Sequence, residues 1–241
     1  MMVLGVSIPV ASLLVIVQPI MQRRAIARYG SRLVCWLVGA PVRVSGFEIP
    51  EELACVVVAN HASYLDGIVL TAALPPRFTF LIKKQMESVP LAGLILRRLG
   101  SQFVDRDSTS SRHRSARRLV ASATGRDALA LFPEGTFDVE PGLKPFRGGA
   151  FAAAWRAGLP VVPVVIHGTR HNLPAKAILP VPGRIDVHVC APIATRECAS
   201  TEALIAASRR AILGELGEPD LDPVGSGLSN APSAPIDHKR T

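Results

Sequence analysis

The chain has 241 residues, 49% of them hydrophobic and only 5% aromatic, and its formal net charge is +8. That length holds one large domain or two small ones, with enough apolar residues for a full, mostly aliphatic core. The basic balance suits an anionic partner such as a phospholipid surface or a phosphorylated substrate; so few aromatics argue against single-strand nucleic-acid binding, which needs stacking platforms, and the four cysteines (Cys35, Cys55, Cys190, Cys198) form no C-x-x-C pair, which excludes the common zinc and redox motifs.

Residues 1–22 carry no charged side chain, and Arg23, Arg24, Arg28 and Arg32 follow. A secretory signal places its positive charge before the apolar run, so this order fits a membrane segment better. About 20 apolar residues span a bilayer, and the positive flank would stay cytoplasmic. A buried core helix is the alternative. Residues 24–41 continue as a second apolar-rich helix, with Tyr29 and Trp36 suited to a headgroup region, and Pro41 ends it. Residues 1–41 are therefore expected to form a membrane-associated helical hairpin.

Strand-like and helix-like segments then alternate. Apolar runs at 54–59, 78–83, 101–105, 128–133, 161–166 and 185–190 have strand length. Segments 64–74, 91–100, 114–125 and 148–159 carry helical periodicity, three of them stopped by Gly100, Gly125 and Gly158. This alternation predicts an α/β layered sheet flanked by helices over residues 42–216. The near-continuous apolar character of the strands predicts that both sheet faces are covered. Residues 217–241 are too polar to fold alone and read as a disordered tail.

The apolar run at 54–59 stops at Asn60-His61, and Asp66 follows five residues after the histidine. On one continuous helix the two side chains would point about 140° apart. They meet only if His61 lies in a loop before the helix and Asp66, in its first turn, reaches back. Asp66 would then fix the imidazole tautomer and leave the other ring nitrogen as a base, and Ser63 could cap the helix. Taken alone the pair is a weak signal. His113, His167, His171, His188 and His238 do not repeat the spacing. Arg106 and Glu134 also follow predicted strands, and functional groups gather beyond the carboxyl ends of strands in such sheets. If the strands are parallel, His61, Arg106 and Glu134 converge on one edge.

Four ordered blocks strengthen this reading. Asn60-His61-x-Ser63-x-x-Asp66, Gly100-x-x-Phe103-x-x-Arg106, Phe132-Pro133-Glu134-Gly135-Thr136 and Val162-Pro163-Val164 together resemble the 1-acylglycerol-3-phosphate acyltransferase family, the H-x4-D glycerolipid acyltransferases. The resemblance implies transfer of a fatty acyl group from acyl-CoA or acyl-carrier protein to the hydroxyl of a lysophospholipid, with 1-acyl-sn-glycerol-3-phosphate as the leading acceptor. His61 would be the general base and Asp66 its partner. Arg106 would bind the acceptor phosphate, Glu134, Gly135 and Thr136 would hold its polar head, and Lys83 would bind phosphate or help stabilise the oxyanion. No metal and no cofactor beyond the acyl donor is implied. The partners are membrane lipid and the acyl donor rather than nucleic acid. The expected location is the cell inner membrane or plasma membrane, with the active domain on the cytoplasmic side.

One departure matters. The family's third block often continues with arginine, where this chain has Phe137-Asp138. Lys144 and Arg147 are the candidates to replace that charge. A lyso-aminolipid or other lysolipid acceptor, and a lipid-to-lipid transacylase using the same pair, stay open beside lysophosphatidate. A non-catalytic lipid-binding protein would need no base. Arg112, Arg114, Arg117, Arg118 and Arg126 read as a solvated basic face.

Overall fold

The computed structural model describes residues 17, 19–104, 128–177 and 179–222. Most of the charge-free run 1–22, the helix expected at 114–125, Arg106 and most of the expected tail lie outside them. In chain order the elements are α1 (Ile20–Leu37), β1 (Val42–Gly46), β2 (Val56–Ala59), α2 (Asp66–Ala73), β3 (Phe78–Lys83), α3 (Ala92–Arg98), β4 (Gln102–Val104), β5 (Ala128–Leu131), α4 (Gly149–Ala157), β6 (Val161–His167), α5 (Thr169–Asn172), β7 (Ile185–Val189) and α6 (Thr201–Leu216).

The strands form one seven-stranded sheet in the order β1-β7-β6-β2-β5-β3-β4. β6, β2, β5, β3 and β4 are mutually parallel, while β7 runs antiparallel to β6 and parallel to β1. The carboxyl ends of the five parallel strands therefore share one edge. All four residues of β2 and of β5 are buried. Val57 and Ala59 face a core shared with Val69 and Leu70 of α2. Val56 and Val58 face a second core built with Phe151 of α4 and Leu204 and Ile212 of α6. Both faces of the central strands are covered, as their unbroken apolar sequence requires.

Three elements escaped sequence reasoning: β1, the four-residue α5 and α6. β1 is an edge strand whose residues after Val42 are all exposed, so no apolar face marks it. α6 did carry a signal: Leu204, Ile205, Ser208, Ile212 and Leu216 recur at helical spacing and are buried, and Ser200 caps it by accepting the Ala203 N–H at 3.2 Å.

Of the expected amino-terminal hairpin, the described residues include α1. No helix of the described residues is long and apolar enough to cross a membrane. Arg24, expected in a cytoplasmic flank, is only 6% exposed. Its guanidinium donates to the Leu99 carbonyl at 3.0 Å, the Arg77 carbonyl at 3.2 Å and Thr79 Oγ1 at 2.6 Å. Arg32 donates to the Ala72 carbonyl at 2.8 Å. Arg24 and Arg32 staple α1 onto β3, α3 and the end of α2; Arg24 is buried, and a buried guanidinium must find acceptors within the protein. α1 is therefore a layer of the α/β unit. Residues 217–222, read from sequence as the start of a disordered tail, are held by backbone bonds to Leu143.

Candidate active site

The site is assembled at the shared carboxyl edge. β2 ends at Ala59, and Asn60 locks that end to β6. Its side-chain nitrogen donates to the Ile166 carbonyl at 3.0 Å, and its oxygen accepts the Ile166 N–H at 2.7 Å. Two such buried bonds contribute about 1 kcal/mol each and fix where His61 begins.

His61 then lies in the loop and Asp66 opens α2. Asp66 Oδ2 accepts from His61 Nδ1 at 2.8 Å, from the Ala62 N–H at 2.6 Å and from the Ser63 N–H at 2.8 Å. An ionised carboxylate only accepts, so Nδ1 carries the proton and Nε2 keeps its lone pair. Asp66 is fully buried, while the His61 side chain is 18% exposed. A carboxylate in the first turn also suits the positive end of the helix. Ser63 does not cap α2 as the sequence suggested: its hydroxyl donates to the Leu173 carbonyl at 2.7 Å and accepts the Leu65 N–H at 3.1 Å. That pins the loop against the segment after β6.

The imidazole is also held by aromatic rings. Phe132, just past β5, stacks on it with centroids 4.3 Å apart and planes 14° apart. Phe137 meets it edge-on at 4.6 Å and meets Tyr64 edge-on at 4.8 Å. The two rings fix the plane of the imidazole from two sides.

Glu134 follows in a tight turn closed by the Gly135 N–H on the Phe132 carbonyl at 3.2 Å. Gly135 sits at φ 78°, a conformation that L side chains resist. Glu134 is 4% exposed. Its Oε1 accepts the His61 N–H at 2.7 Å and its Oε2 accepts the Lys144 N–H at 2.9 Å. Burial pushes its carboxyl up to about 7, against the pull of those two amides. Both oxygens are occupied by backbone, so Glu134 braces the base.

An apolar cavity of about 720 Å³ opens beside His61. α1, α2, β3 and α3 wall it with residues such as Val34, Ile68, Phe80 and Ile95. A Cβ added at Gly67 would meet nothing within 4 Å, so this glycine keeps the cavity wide in the first turn of α2. Lys83, Gly135, Thr136 and Phe137 also line it. Lys144 and Arg147 do not. The Lys144 ammonium pairs with Asp138, and Arg147, exposed, donates its N–H to the Pro133 carbonyl at 3.0 Å. The placement thus unites His61, Asp66 and Glu134, gathers Lys83, Gly135 and Thr136 around the same cavity, and leaves Arg106 outside the described residues. Sequence reasoning missed the ring contacts of Phe132 and the bracing amide of Lys144. The second has no side-chain signature at all.

A family model described as acyltransferase matches residues 41–167, from β1 to the end of β6. The chain belongs to the acyltransferase family. The matched acyltransferase segment contains His61, Asp66, Glu134 and all the parallel strands. Among relatives, the lyso-ornithine lipid O-acyltransferase of Pseudomonas aeruginosa is 38% identical over 158 residues, covering 66% of this chain and 58% of that protein. The 1-acyl-sn-glycerol-3-phosphate acyltransferase of Cocos nucifera is 28% identical over 165 residues, covering 68% and 53%. The chain thus spans little more than half the length of these two relatives. The crystal structure of the 1-acyl-sn-glycerophosphate acyltransferase of Thermotoga maritima shares the acyltransferase fold, with a TM-score of 0.70 over 84% of this chain and 83% of that one, at 22% identity.

Proposed function

We propose that this chain transfers a fatty acyl group from acyl-CoA or acyl-carrier protein to the free hydroxyl of a lysolipid, as a step of phospholipid or related membrane-lipid synthesis. The observation that carries the reading is a histidine tied through Nδ1 to a buried carboxylate at the wall of an apolar cavity. His61 Nε2 takes the hydroxyl proton as the alcohol oxygen attacks the thioester carbonyl. The tetrahedral intermediate collapses, the C–S bond breaks, and the leaving thiolate recovers the proton from the imidazolium. Asp66 keeps the ring oriented and stabilises its charge. The cavity volume lies in the range of about 300–1,000 Å³ usual for ligand sites, and its aliphatic walls suit an acyl chain.

The acceptor follows from Phe137. It stands against His61 where relatives of the resembled family often carry a phosphate-binding arginine, and Asp138 comes next. This favours a lyso-aminolipid, the class named in the Pseudomonas relative, over 1-acyl-sn-glycerol-3-phosphate. The test is to incubate purified protein with labelled acyl-CoA or acyl-carrier protein and a panel of lyso-ornithine lipid, lysophosphatidate and lysophosphatidylethanolamine. Label should move to at least one acceptor; no transfer from either donor refutes the reading. Phe137→Arg should raise use of lysophosphatidate relative to lyso-ornithine lipid about tenfold, the size of one charge-assisted hydrogen bond. An unchanged ratio removes position 137 from acceptor choice.

The same reading places the protein on the cytoplasmic face of a membrane, where soluble thioester donors meet lipid. Tyr29, Leu33 and Trp36 share one face of α1 and are exposed, Trp36 at 65%. Leu33→Glu with Trp36→Glu should reduce flotation with anionic lipid vesicles. Full flotation of the double variant would rule out this face as the contact.

A further inference from the structure

We propose that residues 217–222 form a strap that holds the catalytic base in place, and that Arg170 and Arg209 are positioning residues for the transfer. The inference rests on the acyl-transfer reading of His61.

The loop between β5 and α4 is closed on itself at its base, where Lys144 meets Glu134 and Arg147 meets Pro133, but its tip stands in solvent. Residues 138–141 are exposed. The strap supplies the hold. The Leu143 N–H donates to the Pro219 carbonyl at 2.9 Å, and the Leu221 N–H donates to the Leu143 carbonyl at 3.0 Å. Glu218 Oε2 accepts the Gly142 N–H at 2.7 Å. A Cβ at Gly142 would lie 2.6 Å from Leu221 Cγ, and its φ is 138°, so glycine is what lets strap and loop approach. Two arginines tie the layers together. Arg170, at the carboxyl edge in α5, grips Glu218 with two nitrogens at 3.2 and 3.0 Å. Its third donates to the carbonyls of Asp138 at 2.9 Å and Glu140 at 3.0 Å. Arg209 of α6 pairs with Asp220 and donates to the Lys144 carbonyl at 2.5 Å.

Lys144 is the link to the base. Its N–H donates to Glu134 Oε2 at 2.9 Å, and Glu134 Oε1 accepts the His61 N–H at 2.7 Å. From strap to His61 the path is thus one loop and one carboxylate. An extended bracing of this kind matters because a shift of about 1 Å at a reacting group can cost about 10²-fold in rate. The charged groups facing Glu134 are Asp66 from α2 and Arg209 from α6, and the titratable His61, from the loop after β2, meets it through its backbone N–H. Releasing the strap withdraws the Lys144 amide and loosens Arg209, both of which favour the Glu134 carboxylate. Glu134 then holds its proton to higher pH.

The test uses Glu218→Ala, Glu218→Gln and Arg170→Gln in the full chain, with acyl transfer, melting temperature and hydrogen exchange on each. Glu218→Ala and Arg170→Gln should lower kcat about tenfold with little change in the KM of the acyl donor. The acidic limb of the pH profile should move to higher pH. Exchange should quicken at 138–146 and, with it, at 60–66. Glu218→Gln keeps an acceptor for Gly142 and should fall between; if Glu218→Ala does not fold, it carries the comparison. Quickened exchange at 138–146 with unchanged exchange at 60–66 and unchanged kcat overturns the proposal. So does a loss of activity that only tracks the loss of folded protein. A wild type that acylates nothing refutes the acyl-transfer reading instead, and the coupled exchange of the two segments still decides the strap.

Discussion

His61→Ala should lower acyl transfer by about 10²–10⁴-fold, the usual worth of a general base, while the melting temperature changes little. The ring is partly exposed and borders the open cavity, so its loss leaves no enclosed void. Asp66→Asn is the sharper variant. Three donors converge on Oδ2, and an asparagine oxygen can take that place. Oδ1 is buried with no hydrogen-bond partner among the described residues, so the amide nitrogen occupies that corner without displacing a bond. The cost in stability is that of one unsatisfied polar group, about 1–3 kcal/mol. The charge that stabilises the imidazolium is gone, and turnover should fall far more than stability. The double variant should be little slower than the slower single one, because the two residues act as a unit. Steady-state transfer and thermal melts on the same preparations check all three. A folded His61→Ala protein with near-normal transfer would refute the mechanism, and a collapsed melting temperature in that variant would make His61 a core residue.

The geometry of this pair was legible in the sequence because chain geometry leaves few options. A five-residue interval closes only across a loop-to-helix junction, and the apolar run at 54–59 placed the strand before it. The strand reading predicted 78–83, and β3 spans Phe78–Lys83; the other expected strands in the described residues fall within two residues of those observed. Patterns of apolar side chains report burial, and burial is what those strands have in common. The misses lie where burial is achieved by other means. Arg24 is buried because carbonyls take up its guanidinium, and an arginine after an apolar run looks the same whether it flanks a membrane or enters a core. Residues 217–222 are mostly polar, and they are held by backbone pairing to Leu143 and by Arg209 and the more distant Arg170. Lys144 was singled out for its ammonium, yet its backbone N–H is the group that meets Glu134. Every residue but proline has such a donor, so no sequence pattern could have marked it.

Glu134→Gln should cost about 10–100-fold in kcat, although the substitution is nearly isosteric. The carboxylate accepts two backbone amides, one on each oxygen. Glutamine offers one acceptor and one donor, so one of the two N–H groups, of His61 or of Lys144, must face an NH2. A buried donor left without a partner costs about 1–3 kcal/mol, and the base shifts with whichever end yields. The pH dependence has a distinct sign. The Glu134 carboxyl titrates at about 7 in the folded chain, above the ordinary 4.5, chiefly because it is buried. The folded state therefore binds this proton more tightly than the unfolded state. The contribution to stability is complete below about pH 4.5 and is lost as pH climbs through about 7, by up to roughly 3 kcal/mol. Function runs the other way: only the ionised carboxylate accepts both amides fully, so kcat should rise with pH through about 7. In Glu134→Gln neither group titrates. The fall in melting temperature between pH 4.5 and 7 should flatten, and the component of the kcat profile that comes from Glu134 should vanish. Melting curves at several pH values, beside kcat on the same samples, read both effects. A Glu134→Gln protein with wild-type turnover and an unchanged dependence of melting temperature on pH would show that the carboxylate neither braces His61 nor titrates in the folded chain.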